Sequence, residues 1–141
     1  MATTRTASTH WEGNLFEGAG KTTLDSSGLG TFDVSWPARA EESNGKTSPE
    51  ELIAAAHSAC FSMAFSNGLA KAGTPPNALD TSAEVDFVPG TGITQIRLTV
   101  RGSVEGMSEE DFVALAEEAK AGCPVSQAVA AVEILLDAAL A

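Results

Sequence analysis

The longest element that the hydrophobic pattern predicts is a helix around Leu52–Ala70, a stretch without a single charged residue. Its start is well marked. Ser48 is a suitable N-cap, Pro49 fits the first helical position, and Glu51 stands three residues after the cap, where a capping box places its acidic member. A glycine and two prolines follow the stretch as stop signals. The pattern therefore predicts one helix that runs to about Lys71.

This apolar stretch is nearly long enough to span a membrane. Several small polar residues and one histidine interrupt it, and many of its other residues are alanine. A helix buried on most sides inside a protein explains this composition better than a bilayer does. We therefore expect no membrane association.

Alternating apolar and polar residues, broken by turn residues, predict short strands before this helix. The predicted strands are Ser8–Glu12, Lys21–Leu24 and Thr31–Ser35. Pro37–Thr47 is polar and without periodicity, so it is predicted to be a loop.

A second β region is predicted after the helix, with strands Ser82–Val88 and Thr94–Val104. Ser108 opens a second amphipathic helix that ends at Gly122. A short helix then begins at Cys123. In the stretch Val132–Leu140 apolar and polar residues alternate, which suits a strand, but the alanine content also suits a helix. The assignment of this stretch stays open. The pattern indicates an α+β domain with strands at both ends of the helical elements.

Composition narrows the class of function. The chain has 141 residues, which is one domain's worth, and its formal net charge is −11. This acidity argues against nucleic acid and anionic membranes as partners. Hydrophobic residues make up 43% and charged residues 19%, so the chain has the material for a core. The first ten residues do not resemble a signal peptide, and we expect a cytoplasmic protein.

The two cysteines are the first candidates for chemistry. Cys60 lies in the middle of the long predicted helix, where the helix dipole gives little help, and burial favours the neutral thiol. A reactive Cys60 therefore needs a cation from elsewhere; the alternative is a buried small apolar residue. Cys123 lies at a predicted helix N-cap, which favours a thiolate, or is simply a small residue at a tight junction. Without a secretory signal, a redox-active or free pair is favoured over a permanent disulfide.

His57 lies three residues before Cys60 and shares a helix face with it. A Cys–His nucleophile pair is one interpretation, as in thiol hydrolases. A core histidine with a satisfied hydrogen bond is the other, because side chains at this spacing rarely align for proton transfer. Together with His10 and Cys123, these residues form no closely spaced metal-ligand motif.

Four segments together resemble the osmotically inducible protein C (OsmC) family, whose relatives are the organic hydroperoxide resistance proteins. They are His10–Gly13, Thr47–Leu52, Ala55–Met63 and Ala119–Gln127. The resemblance runs from about His10 to the C-terminus in the same order, so we expect residues 1–141 to form a single OsmC-like domain. It implies an α+β fold in which antiparallel sheets wrap around the long central helices of an intertwined homodimer.

The resemblance also implies a thiol-dependent, peroxiredoxin-type peroxidase that reduces organic hydroperoxides, and hydrogen peroxide less efficiently, in oxidative and osmotic stress defence. Cys60 matches the peroxidatic cysteine and Cys123 the resolving cysteine. Glu50 matches the active-site glutamate and Arg39 the arginine, with Lys21 as the next candidate for the cation. No metal, haem or flavin is expected. An external dithiol, with a lipoyl-type dithiol as one candidate, would restore the reduced enzyme.

Spacing adds one constraint to these roles. Glu50 and Cys60 are ten residues apart on one predicted helix, or ~15 Å along its axis. If both act on one peroxide, Glu50 is expected to come from a second subunit. Two rival functions remain at this point: a thiol hydrolase that uses Cys60 and His57, and a non-catalytic dimeric binding or redox-sensing module.

Overall fold

A computed structural model of the chain describes residues 1–141, which form two compact units, 1–52 and 53–141. The first unit contains an antiparallel sheet of three strands in the order β1 (Ser8–Glu12), β2 (Ala19–Thr23) and β3 (Thr31–Val34). All three predicted strands are confirmed: β1 has the predicted bounds, and the bounds of β2 and β3 differ from the prediction by at most two residues.

One element of the first unit differs from the prediction. The segment predicted as a loop, Pro37–Thr47, begins inside a short helix, α1 (Trp36–Ala40). The Ser35 hydroxyl accepts a hydrogen bond from the Ala38 amide at 3.3 Å and caps this helix, and the proline in the first turn needs no partner for an amide. Five residues are too few to display helical periodicity, so the pattern missed α1.

The long helix α2 (Pro49–Lys71) has the predicted bounds. The Ser48 hydroxyl accepts from the Glu51 amide at 3.1 Å, as a capping box requires. The Glu51 carboxylate, however, accepts from the Thr47 hydroxyl at 2.6 Å. This local chemistry explains why the start of α2 was predictable.

The burial predicted for α2 is wrong for the single chain. The helix is long and apolar enough to cross a membrane by length and composition, and only 22% of its most apolar 18-residue window is buried. Ala56, Ala59, Met63 and Ala70 are exposed on one face, and Met63 is 71% exposed. One chain by itself leaves an apolar face of α2 uncovered.

The second unit contains a sheet in the order β4 (Ala78–Val88), β5 (Gly92–Ser103) and β6 (Glu133–Leu140). β4 and β5 form an antiparallel hairpin, and β6 lies parallel to β5. The ambiguous C-terminal stretch is therefore a strand, and its alternating burial agrees with one covered face. Every strand pair is antiparallel except β5–β6.

Two further helices, α3 (Glu109–Gly122) and α4 (Pro124–Ala128), meet at Cys123, as predicted. The core of this unit contains residues from α2, β5, α3 and the α3–α4 junction: Phe61, Phe65, Leu69, Leu98, Val100, Phe112, Ala116, Ala119 and Cys123. Gly102 belongs to this packing, because a Cβ there would lie 2.6 Å from the Phe112 ring. Phe61 and Phe65 are fully buried core residues.

Candidate active site

The two cysteines lie together in the second unit although 63 positions separate them. α2 positions Cys60, and the junction of α3 and α4 positions Cys123. Their Sγ atoms are 3.0 Å apart, and both cysteines are free. Cys123 is fully buried, whereas Cys60 is partly exposed, between the exposed Ala59 and the buried Phe61. Formation of a disulfide from this arrangement requires only a small movement.

The surroundings favour a negative charge on Cys123. Burial raises the pKa of the Cys60 thiol, and the neighbouring Cys123 raises it further, against the effect of the Val125 amide. Burial also tends to raise the pKa of Cys123. That effect is outweighed by the Cys60 thiol, by the amide and hydroxyl of Ser126 and by the Val125 amide, so the pKa of Cys123 is lowered. Within this unit, the thiolate is therefore more stable on Cys123 than on Cys60.

His57 is fully buried, and its Nε2 lies 2.7 Å from the Ser126 hydroxyl oxygen. Its Nδ1 is also buried and has no hydrogen-bond partner. Burial lowers the pKa of His57, so the ring is neutral at pH 7. The interpretation as a core histidine with a hydrogen bond is confirmed for Nε2, and the hydrogen bond goes to Ser126 and not to Cys60.

Arg39 and Glu50 form an ion pair in the first unit. Arg39 lies in the last turn of α1 and Glu50 in the first turn of α2. Arg39 Nε donates to the two carboxylate oxygens at 3.0 and 3.2 Å, and Nη2 donates to Oε1 at 2.8 Å. Glu50 is only 7% exposed. Such a two-pronged pair fixes the plane of the guanidinium.

Lys21, the alternative cation, has a different environment. Its Nζ lies 2.6 Å from Asp33 Oδ1 on the sheet, and both side chains are more than half exposed. The Lys21 amine lowers the pKa of Asp33, mainly by a hydrogen bond and then by its charge. An exposed pair of this kind is hydrated and weakly held.

A cavity of about 400 Å³ in the first unit has mostly apolar walls, and Arg39 is one of its lining residues. Trp11, Leu15, Val34, Trp36 and Leu52 supply its apolar surface. Phe61 and Phe65, the aromatic residues that follow Cys60 on α2, belong to the core of the other unit. The sequence gives no indication of this cavity, because its walls come from β1, β2, β3, α1, α2 and the β1–β2 connection.

Comparison with known proteins decides the family. A family model described as "OsmC-like protein" matches residues 42–137. The chain belongs to the OsmC family. A protein named peroxiredoxin OsmC from Escherichia coli (strain K12) is 44% identical over 131 residues, which cover 91% of this chain and 90% of that protein. A protein of the same name from Shigella flexneri matches with the same identity and coverage.

Solved structures agree with this fold. An organic hydroperoxide resistance protein from Elizabethkingia anophelis superposes with a TM-score of 0.73 at 25% identity, over 100% of both chains. A Legionella pneumophila structure described as an organic hydroperoxide resistance protein OsmC gives a TM-score of 0.72 at 25% identity, over 99% of this chain and 98% of that one. The α+β, OsmC-like fold expected from the resemblance is confirmed.

The structure thus pairs the four predicted site residues as Cys60 with Cys123 and Arg39 with Glu50. No role was predicted for Ser126 from the sequence. In the structure Ser126 contacts His57, and its amide and hydroxyl lower the pKa of Cys123. Its position three residues after Cys123, one helical turn on, was the only pattern that pointed to it.

Proposed function

We propose that this protein is a thiol-dependent peroxidase that reduces organic hydroperoxides to alcohols through Cys60 and Cys123. The observation that carries the proposal is the 3.0 Å separation of two free thiols from distant segments, one partly exposed and one buried. The partly exposed Cys60 sulfur reacts with the peroxide. The buried Cys123 sulfur then reacts with the sulfenic acid that forms on Cys60. The names of two relatives, peroxiredoxin OsmC and organic hydroperoxide resistance protein, support the same class of activity.

In the first step the Cys60 thiolate attacks one oxygen of the hydroperoxide. An S–O bond forms, the O–O bond breaks, and the alkoxide takes a proton and leaves as an alcohol. Cys60 is thereby oxidised to a sulfenic acid. Its partial exposure, beside the exposed Ala59, gives the peroxide access to the sulfur.

In the second step Cys123 attacks the Cys60 sulfur, a disulfide forms, and the hydroxyl group leaves as water. An external dithiol then restores both thiols by exchange and is itself oxidised to a disulfide. The cycle needs no metal or organic cofactor, because sulfur carries both electrons.

The first step needs a cation that the thiol pair lacks, since burial and Cys123 raise the pKa of Cys60. An adjacent positive charge lowers a thiol pKa by about 1–3 units. Arg39 supplies this charge, and Glu50 holds the guanidinium in one orientation through its paired hydrogen bonds. The Glu50 charge itself opposes a thiolate, so its role is to orient Arg39.

The ion pair that acts on Cys60 comes from a second copy of the chain. Glu50 and Cys60 lie ten residues apart on the continuous helix α2, or ~15 Å along its axis, too far to share one small peroxide. The exposed apolar face of α2, with Ala56, Ala59 and Met63, supports a homodimer because water is a poor neighbour for it. The active unit is thus a homodimer with composite sites.

Organic hydroperoxides are the preferred substrates because the apolar cavity beside Arg39 accepts an alkyl or aryl group. Trp11, Leu15 and Trp36 offer flat and aliphatic contact area there, which hydrogen peroxide does not use. The thiol hydrolase is the weaker alternative, because His57 is hydrogen-bonded to Ser126 and leaves Cys60 without a base.

Steady-state turnover tests the proposal. Cumene, tert-butyl and hydrogen peroxides are compared with a dihydrolipoyl reductant, and consumption of both substrates is measured. The wild type is expected to turn over the organic peroxides faster, the Cys60→Ser variant to be inactive, and the Cys123→Ser variant to stall after one oxidation. Ser62→Ala, on the same helix, is the matched control with unchanged activity. Normal turnover by Cys60→Ser would contradict the proposal.

A further inference from the structure

A buried polar pair beside the cysteines is not used by the steps above. His57 and Ser126 are both buried, on α2 and α4, and their side chains lie 2.7 Å apart. Each is three residues from a cysteine, His57 from Cys60 and Ser126 from Cys123. A histidine that served packing alone would not leave a buried nitrogen without a partner, because such an atom destabilises the fold.

The unpartnered nitrogen identifies the tautomer. Nothing accepts a hydrogen bond from Nδ1, whereas the Ser126 oxygen lies close to Nε2. A neutral imidazole carries one hydrogen, and the favourable place for it is Nε2, where an acceptor exists. His57 therefore donates to Ser126.

This donation sets the direction of the Ser126 hydroxyl. The oxygen receives the hydrogen from His57, so its own hydrogen is available to another acceptor. Cys123 lies one turn earlier on the same buried junction, and the Ser126 hydroxyl is among the groups that lower its pKa. A sulfur anion is a stronger hydrogen-bond acceptor than a neutral ring nitrogen. Donation from His57 to Ser126 and from Ser126 to Cys123 is therefore the favourable direction when Cys123 is a thiolate.

We propose that Ser126 donates its hydroxyl hydrogen to the Cys123 sulfur, that His57 holds Ser126 in this orientation, and that Cys123 consequently attacks the Cys60 sulfenic acid as a thiolate. This rests on the proposed peroxidase cycle. An S–S bond forms, the S–O bond of Cys60 breaks, and the departing hydroxide combines with the proton that Cys123 lost to give water. Ser126 and His57 are positioning residues that return unchanged.

The acidic residues of α3 are exposed at the surface, and the charged groups of β6 are partnered by β5. On α3, Lys120 lies 3.2 Å from Glu117 and donates to the Ile134 carbonyl of β6. On β6, the acidic residues contact β5: Glu133 accepts from Gln95, and Asp137 pairs with Arg101. Cys60 and His57 of α2 are therefore the titratable groups to consider at Cys123, and Ser126 supplies the neutral donor.

The resolving step is measured alone in a single turnover. Reduced protein is mixed with one equivalent of cumene hydroperoxide across a range of pH and quenched at intervals. Dimedone traps the sulfenic acid, and mass spectrometry counts the trapped acid and the disulfide. In the wild type, the rate of disulfide formation rises with pH as Cys123 ionises.

The Ser126→Ala variant removes the donor at almost constant volume. Near pH 7 its resolving step is expected to be about tenfold slower, the result of an increase of one unit in the Cys123 pKa. The deficit disappears near pH 10, where the thiolate forms without help. The preceding sulfenic acid formation is not slowed, because Ser126 does not stabilise Cys60. Ser62→Ala, which loses a serine hydroxyl of the same helix as Cys60, leaves both steps unchanged.

Two substitutions at His57 separate its hydrogen bond from its basicity. His57→Gln keeps an N–H donor near the position of Nε2 and is expected to retain most of the resolving rate near pH 7. His57→Leu lacks the donor and is expected to behave as Ser126→Ala does. Equal losses in the glutamine and leucine variants would overturn the role given to His57.

The outcomes also separate this inference from the peroxidase proposal. If the wild type forms neither a sulfenic acid nor a disulfide, the proposed function fails. If it forms both, and Ser126→Ala resolves at the wild-type rate or is slowed equally at every pH, the function stands and the role of Ser126 is refuted.

Discussion

Cys60 and Cys123, in 53–141, lie 3.0 Å apart, and besides burial their pKa values respond to each other, to two backbone amides and to one hydroxyl, none of which is a cation. In 1–52, by contrast, Arg39 carries a full positive charge and is held by three hydrogen bonds to Glu50, but that unit contains no cysteine. Uncharged hydrogen-bond donors are enough to stabilise a thiolate on Cys123 more than on Cys60. They do not lower the pKa of Cys60, the sulfur that reacts first in the proposed cycle.

This contrast supports the proposal that the two pairs take part in one reaction. A buried thiol pair without a cation favours the charge on Cys123, which suits the second step and not the first. In the proposed composite site, the positive charge of Arg39 next to Cys60 would favour the thiolate on Cys60. The proposed dimer allows this, because the same helix that separates Glu50 from Cys60 within one chain offers an apolar face to another.

The largest effect is expected when the two halves of the composite site are placed on different chains. Glu50→Ala and Cys60→Ser chains, each inactive alone, are refolded together in equal amounts. Each heterodimer has one intact site, so the mixture is expected to recover about a quarter of wild-type activity. Verified heterodimers without activity would show that each chain uses its own Glu50 or that Glu50 is dispensable.

Removal of the charge from the ion pair is expected to have the next largest effect. Arg39→Gln keeps an amide donor for the buried Glu50 carboxylate but removes the cation. The pKa of Cys60 should rise, so that peroxide attack at pH 7 slows by about 10- to 100-fold and the deficit narrows at higher pH. Thiolate absorbance near 240 nm and single-turnover rates measure both effects.

The control for the charge is Lys21→Ala, which removes the exposed cation of the same unit. Its Cys60 titration should match the wild type. If Lys21→Ala raises the pKa of Cys60 and Arg39→Gln does not, then Lys21 is the active-site cation.

The smallest effect is expected at the apolar cavity. Leu15→Ala removes part of its wall, and Leu15 is half-exposed, so the fold should tolerate the change. KM for cumene hydroperoxide is expected to rise about three- to tenfold with hydrogen peroxide kinetics unchanged. Leu29→Ala, an exposed leucine outside the cavity lining, is the matched control. Equal changes for both peroxides would place the alkyl group elsewhere.

The bounds of α2 could be predicted because they depend on residues close together in the sequence. The strand pairing could not, because it depends on contacts between residues far apart in the chain. Ser48, Pro49 and Glu51 mark the start of α2 within four residues, and the structure reproduces both ends of the helix. The parallel pairing of β6 with β5 joins residues far apart in the chain. Alternation predicts such a strand but not its partner.

The candidate site was predicted unevenly for the same reason. The family resemblance named Cys60, Cys123 and Glu50 as candidates because the segments around them are specific, and it named Arg39 without such a segment. The His57–Ser126 contact spans 69 positions and no sequence pattern connects them. Burial of His57 also depends on α4 packing against α2, so the composition of either helix alone does not reveal the unpartnered Nδ1.

The most direct measurement is the mass of the protein and its peptides after one equivalent of organic hydroperoxide, without added reductant. The account predicts one alcohol released per chain, a loss of two hydrogens, and a single crosslinked peptide pair that joins Cys60 to Cys123. Recovery of both thiols unmodified, or a crosslink between two Cys60 residues of different chains, would contradict it.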